Sequence, residues 1–166
     1  MPRLQDDDRS TLAINLEERT SQDGGDTVLN TGPEPTVGAV GQVGAVGEFK
    51  IKVFLNGVEQ GWFADKGSPE WWICVVPNKA DGTTWTQVAY GGYTYLKKST
   101  NNYLSYRSNN VVFSTGMKMR DWATAAKWQL VGKNLKCLDN GSLAGRDGDG
   151  FYVNNENVVE VEFVPV

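Results

Sequence analysis

Short runs of alternating apolar and polar side chains follow one another from Glu48 to the end of the chain. Alternation with a period of two is typical of strands that bury one face. Residue pairs that favour tight turns separate these runs: Asn56-Gly57, Asp81-Gly82, Gly91-Gly92, Asn101-Asn102, Asn109-Asn110, Asn140-Gly141 and Asp149-Gly150. Such regular spacing of strand and turn signals predicts an all-β sandwich or closed barrel. The one helix we expect runs from Met117 to Lys127, where good helix formers concentrate.

The first 47 residues have a different composition. All eighteen aromatic residues lie from Phe49 onward, and residues 1–47 carry eight acidic and three basic side chains. Within them, the five-residue sequence Val-Gly-Ala-Val-Gly occurs twice, over residues 37–41 and 43–47. Because it has no large side chains, this stretch cannot build a core alone. The chain therefore divides into an acidic N-terminal arm with a Gly-rich linker, residues 1–47, and a single domain, residues 48–166.

The arm contains one short apolar pattern. Leu12, Ile14 and Leu16 alternate with smaller or polar residues, as in a strand, although Leu12 and Leu16 would also share one face of a helix. We expect these three side chains to attach the arm either to its own domain or, by exchange, to a second copy. A long Gly-rich linker makes exchange inexpensive in closure entropy, so a homo-oligomer formed through the arm is one expectation.

Composition excludes several classes of function. The chain has no histidine, which removes Ser-His-Asp and Cys-His triads and His-ligated catalytic metals. Its acidity argues against a nucleic-acid partner, and no apolar run has the length of a membrane span. No hydrophobic signal core opens the sequence, so we expect a cytoplasmic or non-classically secreted protein. Cys74 and Cys137 are widely spaced and are expected to be free thiols, although a bridge between them is the alternative.

Three stretches of similar character occur along residues 48–166. Each combines a hairpin with a closing aromatic segment, and the units are roughly 40 residues long. The closing segments are Trp85-Thr86-Gln87-Val88, Lys127-Trp128-Gln129-Leu130 and Glu162-Phe163-Val164. This pattern resembles the β-trefoil superfamily, particularly its fascin-like and ricin-B-lectin-like branches. The resemblance implies six strands in a short barrel, three capping hairpins, and Trp85, Trp128 and Phe163 buried in equivalent positions. A β-sandwich is the alternative fold.

One polar cluster in the third unit has the residue types of a sugar site. Sugar recognition uses a carboxylate and an amide for paired hydroxyls, beside an aromatic face for the ring. Residues of these types are Asp147, Asp149, Tyr152, Asn154 and Asn155. A solvated hairpin loop explains the same residues without a ligand. A calcium loop is disfavoured because Phe151 stands where a third oxygen ligand would be needed.

Three tryptophans in the first unit, Trp62, Trp71 and Trp72, form an alternative surface. Adjacent residues of a strand point to opposite faces, so one of Trp71 and Trp72 is expected to face solvent while the other enters the core. The expected function is a non-enzymatic binding module without cofactor or metal, whose first-choice partner is a glycan or glycoprotein. The alternative is a protein receptor bound through the tryptophans, as a component of a toxin or other delivery system.

Overall fold

The structure, a computed structural model, describes residues 30–35, 47–107 and 115–166. Within these ranges the chain is all-β, and its helical content is limited to two 3-10 turns, Lys79–Asp81 and Trp122–Thr124. The strands are β1 (Phe49–Leu55), β2 (Val58–Asp65), β3 (Ile73–Val76), β4 (Thr86–Tyr90), β5 (Tyr93–Ser99), β6 (Asn102–Tyr106), β7 (Met117–Arg120), β8 (Trp128–Val131), β9 (Asn134–Cys137), β10 (Ser142–Asp147), β11 (Gly150–Val153) and β12 (Glu160–Pro165). Among these residues no helix is long and apolar enough to cross a membrane.

Seven antiparallel strands close into a barrel. The ring runs β1, β2, β3, β11, β10, β9 and β12, and it closes where β12 pairs with β1. The remaining strands extend the sheet outward from β9 through β8, β5, β6 and β7, with β4 paired to β5. Closure satisfies backbone groups that would be left unpaired at a sheet edge. Both the all-β class and the closed barrel agree with the alternation in the sequence.

The ring of seven strands corrects the β-trefoil expectation, which required six strands in the barrel. The hairpins β2–β3 and β10–β11 form part of the barrel wall, where β3 pairs with β11. By contrast, β4 approaches β1 only through an isolated bridge between Phe49 and Trp85. The fascin-like and ricin-B-like resemblance was therefore wrong, and closure also excludes the alternative of two facing sheets.

The closing aromatic residues do not share one environment. Trp85 and Trp128 are fully buried. Phe163 is only partly buried, with its ring 4.9 Å from that of Phe49. The expected equivalence of the three was consequently wrong. Cys137 is buried in the same core, and it and the half-buried Cys74 are both free thiols.

Turn chemistry explains the hairpins of the barrel. Asn56-Gly57 joins β1 to β2, and both residues have positive φ, at 51° and 81°. Two-residue turns of this kind match the twist of the strands they connect, and glycine and asparagine tolerate this backbone. By contrast, the helix expected over Met117 to Lys127 was wrong: the segment forms β7 and a single 3-10 turn.

Part of the arm packs on the domain. Residues 30–35 lie against β5, β6 and the 3-10 turn Trp122–Thr124, through contacts made mainly by Asn30 and Glu34. These contacts cover a small cluster of buried side chains, separate from the main core: Val88, Tyr95, Tyr103, Trp122 and Ala125. The expected anchors Leu12, Ile14 and Leu16 lie outside the described residues.

Candidate binding cleft

Strand β7 places two cations on the outside of the molecule. Its residues alternate in burial: Met117 and Met119 face the core, whereas Lys118 and Arg120 are partly exposed. Methionine on one face and cations on the other form a period-two pattern, which places the two kinds of side chain on opposite faces of a strand. Lys118 and Arg120 therefore point to the same side of the sheet.

The segment Glu70–Trp72 lies next to β7 and is held there by its backbone. The amide of Trp71 donates to the Gly67 carbonyl at 2.9 Å, and the Met119 amide donates to the Trp71 carbonyl at 2.8 Å. Trp72 forms a bridge with Lys118, whose ammonium lies 5.1 Å from the centre of the indole. The Trp71 backbone is thus fixed from both sides.

Trp71 combines an unusual backbone with an exposed side chain. Its φ is 62°, in the left-handed region that bulky residues rarely adopt, and 37% of the residue is exposed. Such a conformation costs on the order of 1–3 kcal/mol and persists only where the surroundings impose it. Strained residues of this kind cluster at functional sites, so the surface around Trp71 is a candidate binding site.

A cleft of about 390 Å³ opens beside this segment. We call it the Trp71 cleft, because it is lined by Glu70, which precedes Trp71 in the chain, and by Met119, whose amide donates to the Trp71 carbonyl. The lining residues are Glu70, Arg107, Lys118, Met119, Arg120, Asp121 and Thr124. Three cations and two carboxylates therefore face one open, mainly polar depression. Trp71 is not itself a lining residue, but its backbone adjoins the lining through the hydrogen bond from the Met119 amide.

The charged groups of the cleft are partly committed to the fold. Asp121 accepts hydrogen bonds from the Thr124 hydroxyl at 2.8 Å and from the Thr124 amide at 3.2 Å, which caps the 3-10 turn. Arg120 donates to the Tyr106 carbonyl at 3.3 Å. These bonds orient the side chains before any ligand arrives, and preorganisation of this kind reduces the entropy lost on binding.

The five sugar-site residues predicted in the third unit do not form one group. Asp147 and Asp149 lie at the tip of the β10–β11 hairpin, and Tyr152 lies on β11 with its ring near Gly150. Asn154 and Asn155 follow the other end of β11, about 13 Å away at ~3.3 Å per residue. The structure thus separates the two aspartates from the two asparagines, and Tyr152 lies between them along β11 with its ring near Gly150.

The two asparagines are engaged in local structure. Asn155 has a φ of 65°, and its side-chain oxygen accepts from the Leu143 amide at 2.8 Å. Asn154 accepts from the Glu156 amide at 3.1 Å, which forms a turn. At the hairpin tip, Asp149 is 89% exposed at its side chain and lies 4.0 Å from the Arg146 guanidinium, a pair that contributes little at the surface.

Among the predicted tryptophans, Trp62 is separate from the exposed surface. It is only 6% exposed, and the ammonium groups of Lys52 and Lys79 each lie 5.7 Å from the centre of its ring. Trp72 is half-buried and Trp71 is exposed. The expectation that one of Trp71 and Trp72 enters the core was therefore wrong, because the left-handed backbone of Trp71 breaks the strand alternation on which it depended.

Sequence reasoning overlooked the cations of the cleft. Lys118 and Arg120 lie in the segment expected to be helical, whereas the Met-Lys-Met-Arg alternation is the signal that predicts a strand with both cations on one face. In the described ranges no group of three Cys, Asp or Glu side chains could hold a metal ion. No family model, curated protein or solved structure matches the chain.

Proposed function

We propose that this chain is a non-enzymatic binding module that binds an acidic carbohydrate in the Trp71 cleft. The observation that carries the proposal is that the exposed, strained Trp71 is bonded through its backbone to Met119, a residue that lines a preorganised, polar cleft. An aromatic face packs against the C–H side of a sugar ring, and adjacent charged groups bond its hydroxyls. An open depression of this size suits one or two sugar units on the surface.

The charges of the cleft favour a ligand with carboxylate or sulfate groups. Arg107, Lys118 and Arg120 outnumber Glu70 and Asp121, and Asp121 already accepts two hydrogen bonds from Thr124. Guanidinium groups bind carboxylate and sulfate oxygens with paired hydrogen bonds, which adds geometric specificity. We therefore expect uronic-acid, sialylated or sulfated glycans to bind better than neutral ones, and added salt to weaken binding.

A binding role without catalysis is supported by the chemistry available in the chain. No histidine exists to act as a general base near neutral pH. The burial of Cys137 favours a structural role over a nucleophilic one, because reactive thiols need exposure and a lowered pKa. Burial raises the pKa of the Cys74 thiol as well, which reduces its thiolate fraction.

The test is a glycan array that includes acidic and neutral sugars, probed with the full chain and two variants. Trp71→Gly removes the indole and Arg107→Gln removes one cation of the cleft; each is expected to reduce binding at least tenfold. The matched control is the triple change of Asp147, Asp149 and Asn154 to alanine on the other candidate surface, which should leave binding intact. Loss of binding only in the triple variant would instead assign the sugar site to the third unit.

A second candidate function is recognition of a protein receptor through Trp71 and Trp72. Two neighbouring, partly exposed indoles with a cation stacked on one of them have the composition of a protein hot spot. This alternative predicts no glycan binding, together with loss of receptor binding on changing either tryptophan to alanine. A glycan array that is positive for the wild type and negative for Trp71→Gly would exclude it.

A further inference from the structure

The described part of the arm, residues 30–35, is held on the domain by hydrogen bonds to the side chains of Asn30 and Glu34. Asn30 donates through its side-chain amide to the Trp122 carbonyl at 2.7 Å and to the Ala125 carbonyl at 3.1 Å. Its side-chain oxygen accepts from the Tyr95 hydroxyl at 3.0 Å. The Asn30 backbone amide adds a bond of 2.7 Å to the Ala123 carbonyl. An amide side chain with both its donor and its acceptor engaged is distinguished from aspartate and leucine alike.

Four residues later, the Glu34 carboxylate is met by three donors. The Tyr103 hydroxyl donates to it at 2.6 Å, the Lys97 ammonium lies at 2.8 Å, and the Asn101 amide donates to its two oxygens at 3.0 and 3.1 Å. The carboxylate side chain is 19% exposed and that of Lys97 is 16% exposed. Hydrogen bonds to an ionised group in a partly buried site are among the stronger contacts in proteins.

The electrostatics agree with this geometry. Burial alone would raise the pKa of Glu34, but the hydrogen bonds from Lys97, Tyr103 and Asn101 outweigh it and lower the pKa. Burial raises the pKa of the Tyr103 phenol far above its usual value, and the Glu34 carboxylate raises it further. Tyr103 therefore stays protonated and donates to a Glu34 that stays ionised.

The surface beneath these contacts is built from two consecutive, paired strands and one short turn that follows them in the chain. It consists of β5, β6 and the 3-10 turn Trp122–Thr124, whose aromatic rings pack on one another. Trp122 lies 4.8 Å from the Tyr95 ring and 5.4 Å from the Tyr103 ring, and its amide donates to the Asn101 side chain at 2.8 Å. The hydroxyls and carbonyls that hold Asn30 and Glu34 thus sit on a rigid, buried platform, as a binding site requires.

We propose that this surface is a peptide-binding site, specific for an asparagine followed four residues later by a carboxylate, and that the chain's own segment 30–35 occupies it. The site differs from the Trp71 cleft and does not depend on the proposed function. Its recognition is sequence-specific because both positions require particular side chains. The asparagine amide is bonded by two carbonyls and a tyrosine hydroxyl, and the carboxylate is bonded by an ammonium group, a phenol and a backbone amide. The partner class is an acidic peptide.

The test uses the full chain with Asn30 and Glu34 both changed to alanine, which we call the open variant. A labelled peptide with the sequence of residues 27–38 is titrated into the open variant and into the wild type, with fluorescence anisotropy as the measurement. We expect saturable binding to the open variant and none to the wild type, whose tethered segment competes at ~mM effective concentration. A peptide carrying Glu34→Gln should bind about tenfold more weakly, since it loses the charged bonds.

Absence of peptide binding to a folded open variant would overturn the proposal, as would equal binding to the open variant and the wild type. If the open variant does not fold, a protease site inserted between residues 37 and 46 of the full chain replaces it. After cleavage, the arm fragment should stay with the domain on gel filtration in the wild type and separate from it in Glu34→Gln. If the arm fragment separates from the domain in both the wild type and Glu34→Gln, or in neither of them, specific recognition of the carboxylate is contradicted.

Discussion

Replacing Trp71 once with glycine and once with alanine isolates the backbone strain at the candidate cleft. Both changes remove the same indole, so the lost packing cancels in the comparison. At a φ of 62°, a residue with a Cβ is disfavoured by ~1–2 kcal/mol, whereas glycine adopts this conformation freely. Glycine loses more entropy on folding, by ~0.5–1 kcal/mol. At the midpoints of these two ranges the balance favours Trp71→Gly over Trp71→Ala by about 0.75 kcal/mol.

The assay is urea unfolding, supported by thermal melting, of both variants at one pH. For a domain that spans residues 48–166, each kcal/mol of destabilisation lowers the Tm by roughly 4 °C. The control is the same pair of changes at Val131, which is 47% exposed on β8. There the order should reverse, with alanine more stable than glycine by ~0.5–1 kcal/mol, because strand backbone does not need glycine.

Equal stability of the two Trp71 variants, or a more stable Trp71→Ala, would refute the strain argument if the Val131 pair behaves as expected. The result also bears on function. Trp71→Gly should be the more stable of the two variants and yet lose ligand binding as completely as Trp71→Ala. That combination would separate the role of the indole from any effect of unfolding, and it would identify Trp71 as a residue kept for binding at a cost in stability.

Further predictions concern packing, pH and thiol reactivity. Gly145→Ala should destabilise the fold by ~3 kcal/mol or more in urea unfolding, because its Cβ would collide with the Glu156 carbonyl oxygen. Gly150→Ala, whose Cβ would have its nearest contact at 3.6 Å, should cost far less. Because its pKa is lowered on folding, Glu34 stabilises the protein above its ordinary value of 4.5, and this contribution is lost as the pH falls through the folded pKa. The stability gap between wild type and Glu34→Gln should therefore be larger near neutral pH than near pH 3; an unchanged gap would contradict the assignment. Cys74 should react with a thiol reagent in the native protein more readily than Cys137, which is fully buried and whose pKa burial raises well above the usual value, and Cys137 should react only on unfolding.

Local features of the fold were predictable from the sequence because they depend on neighbouring residues. The Gly91-Gly92 pair marks the turn between β4 and β5, with φ of 62° and 84° at the two positions. Alternation identified β1 and β9, where every second side chain is buried. These properties follow from backbone sterics and from the period of two, neither of which requires knowledge of the partner strand.

The pairing between strands that are far apart in the chain could not be predicted from the sequence pattern. Similar hairpins suggested a barrel of six strands, but the ladder closes over seven, because β3 pairs with β11 by a bridge at Cys74 and Gly150. A hairpin has the same alternation whether it caps a barrel or takes part in its wall. The choice depends on side-chain packing between elements that are far apart in the chain, and strand propensity carries little information about it.

The candidate sites show the same division. The sequence by itself determined which side chains were available: acidic and amide groups in the third unit, tryptophans in the first, and a carboxylate at Glu34. Only the tertiary structure decided which of them meet. It engaged Asn155 in a turn, brought Trp71 beside the cations of β7, and joined Asn30 to the Trp122 carbonyl across 92 residues of sequence. Contacts at such separation depend on the loop entropy and packing of the whole chain, and a pattern of neighbouring residues does not record them.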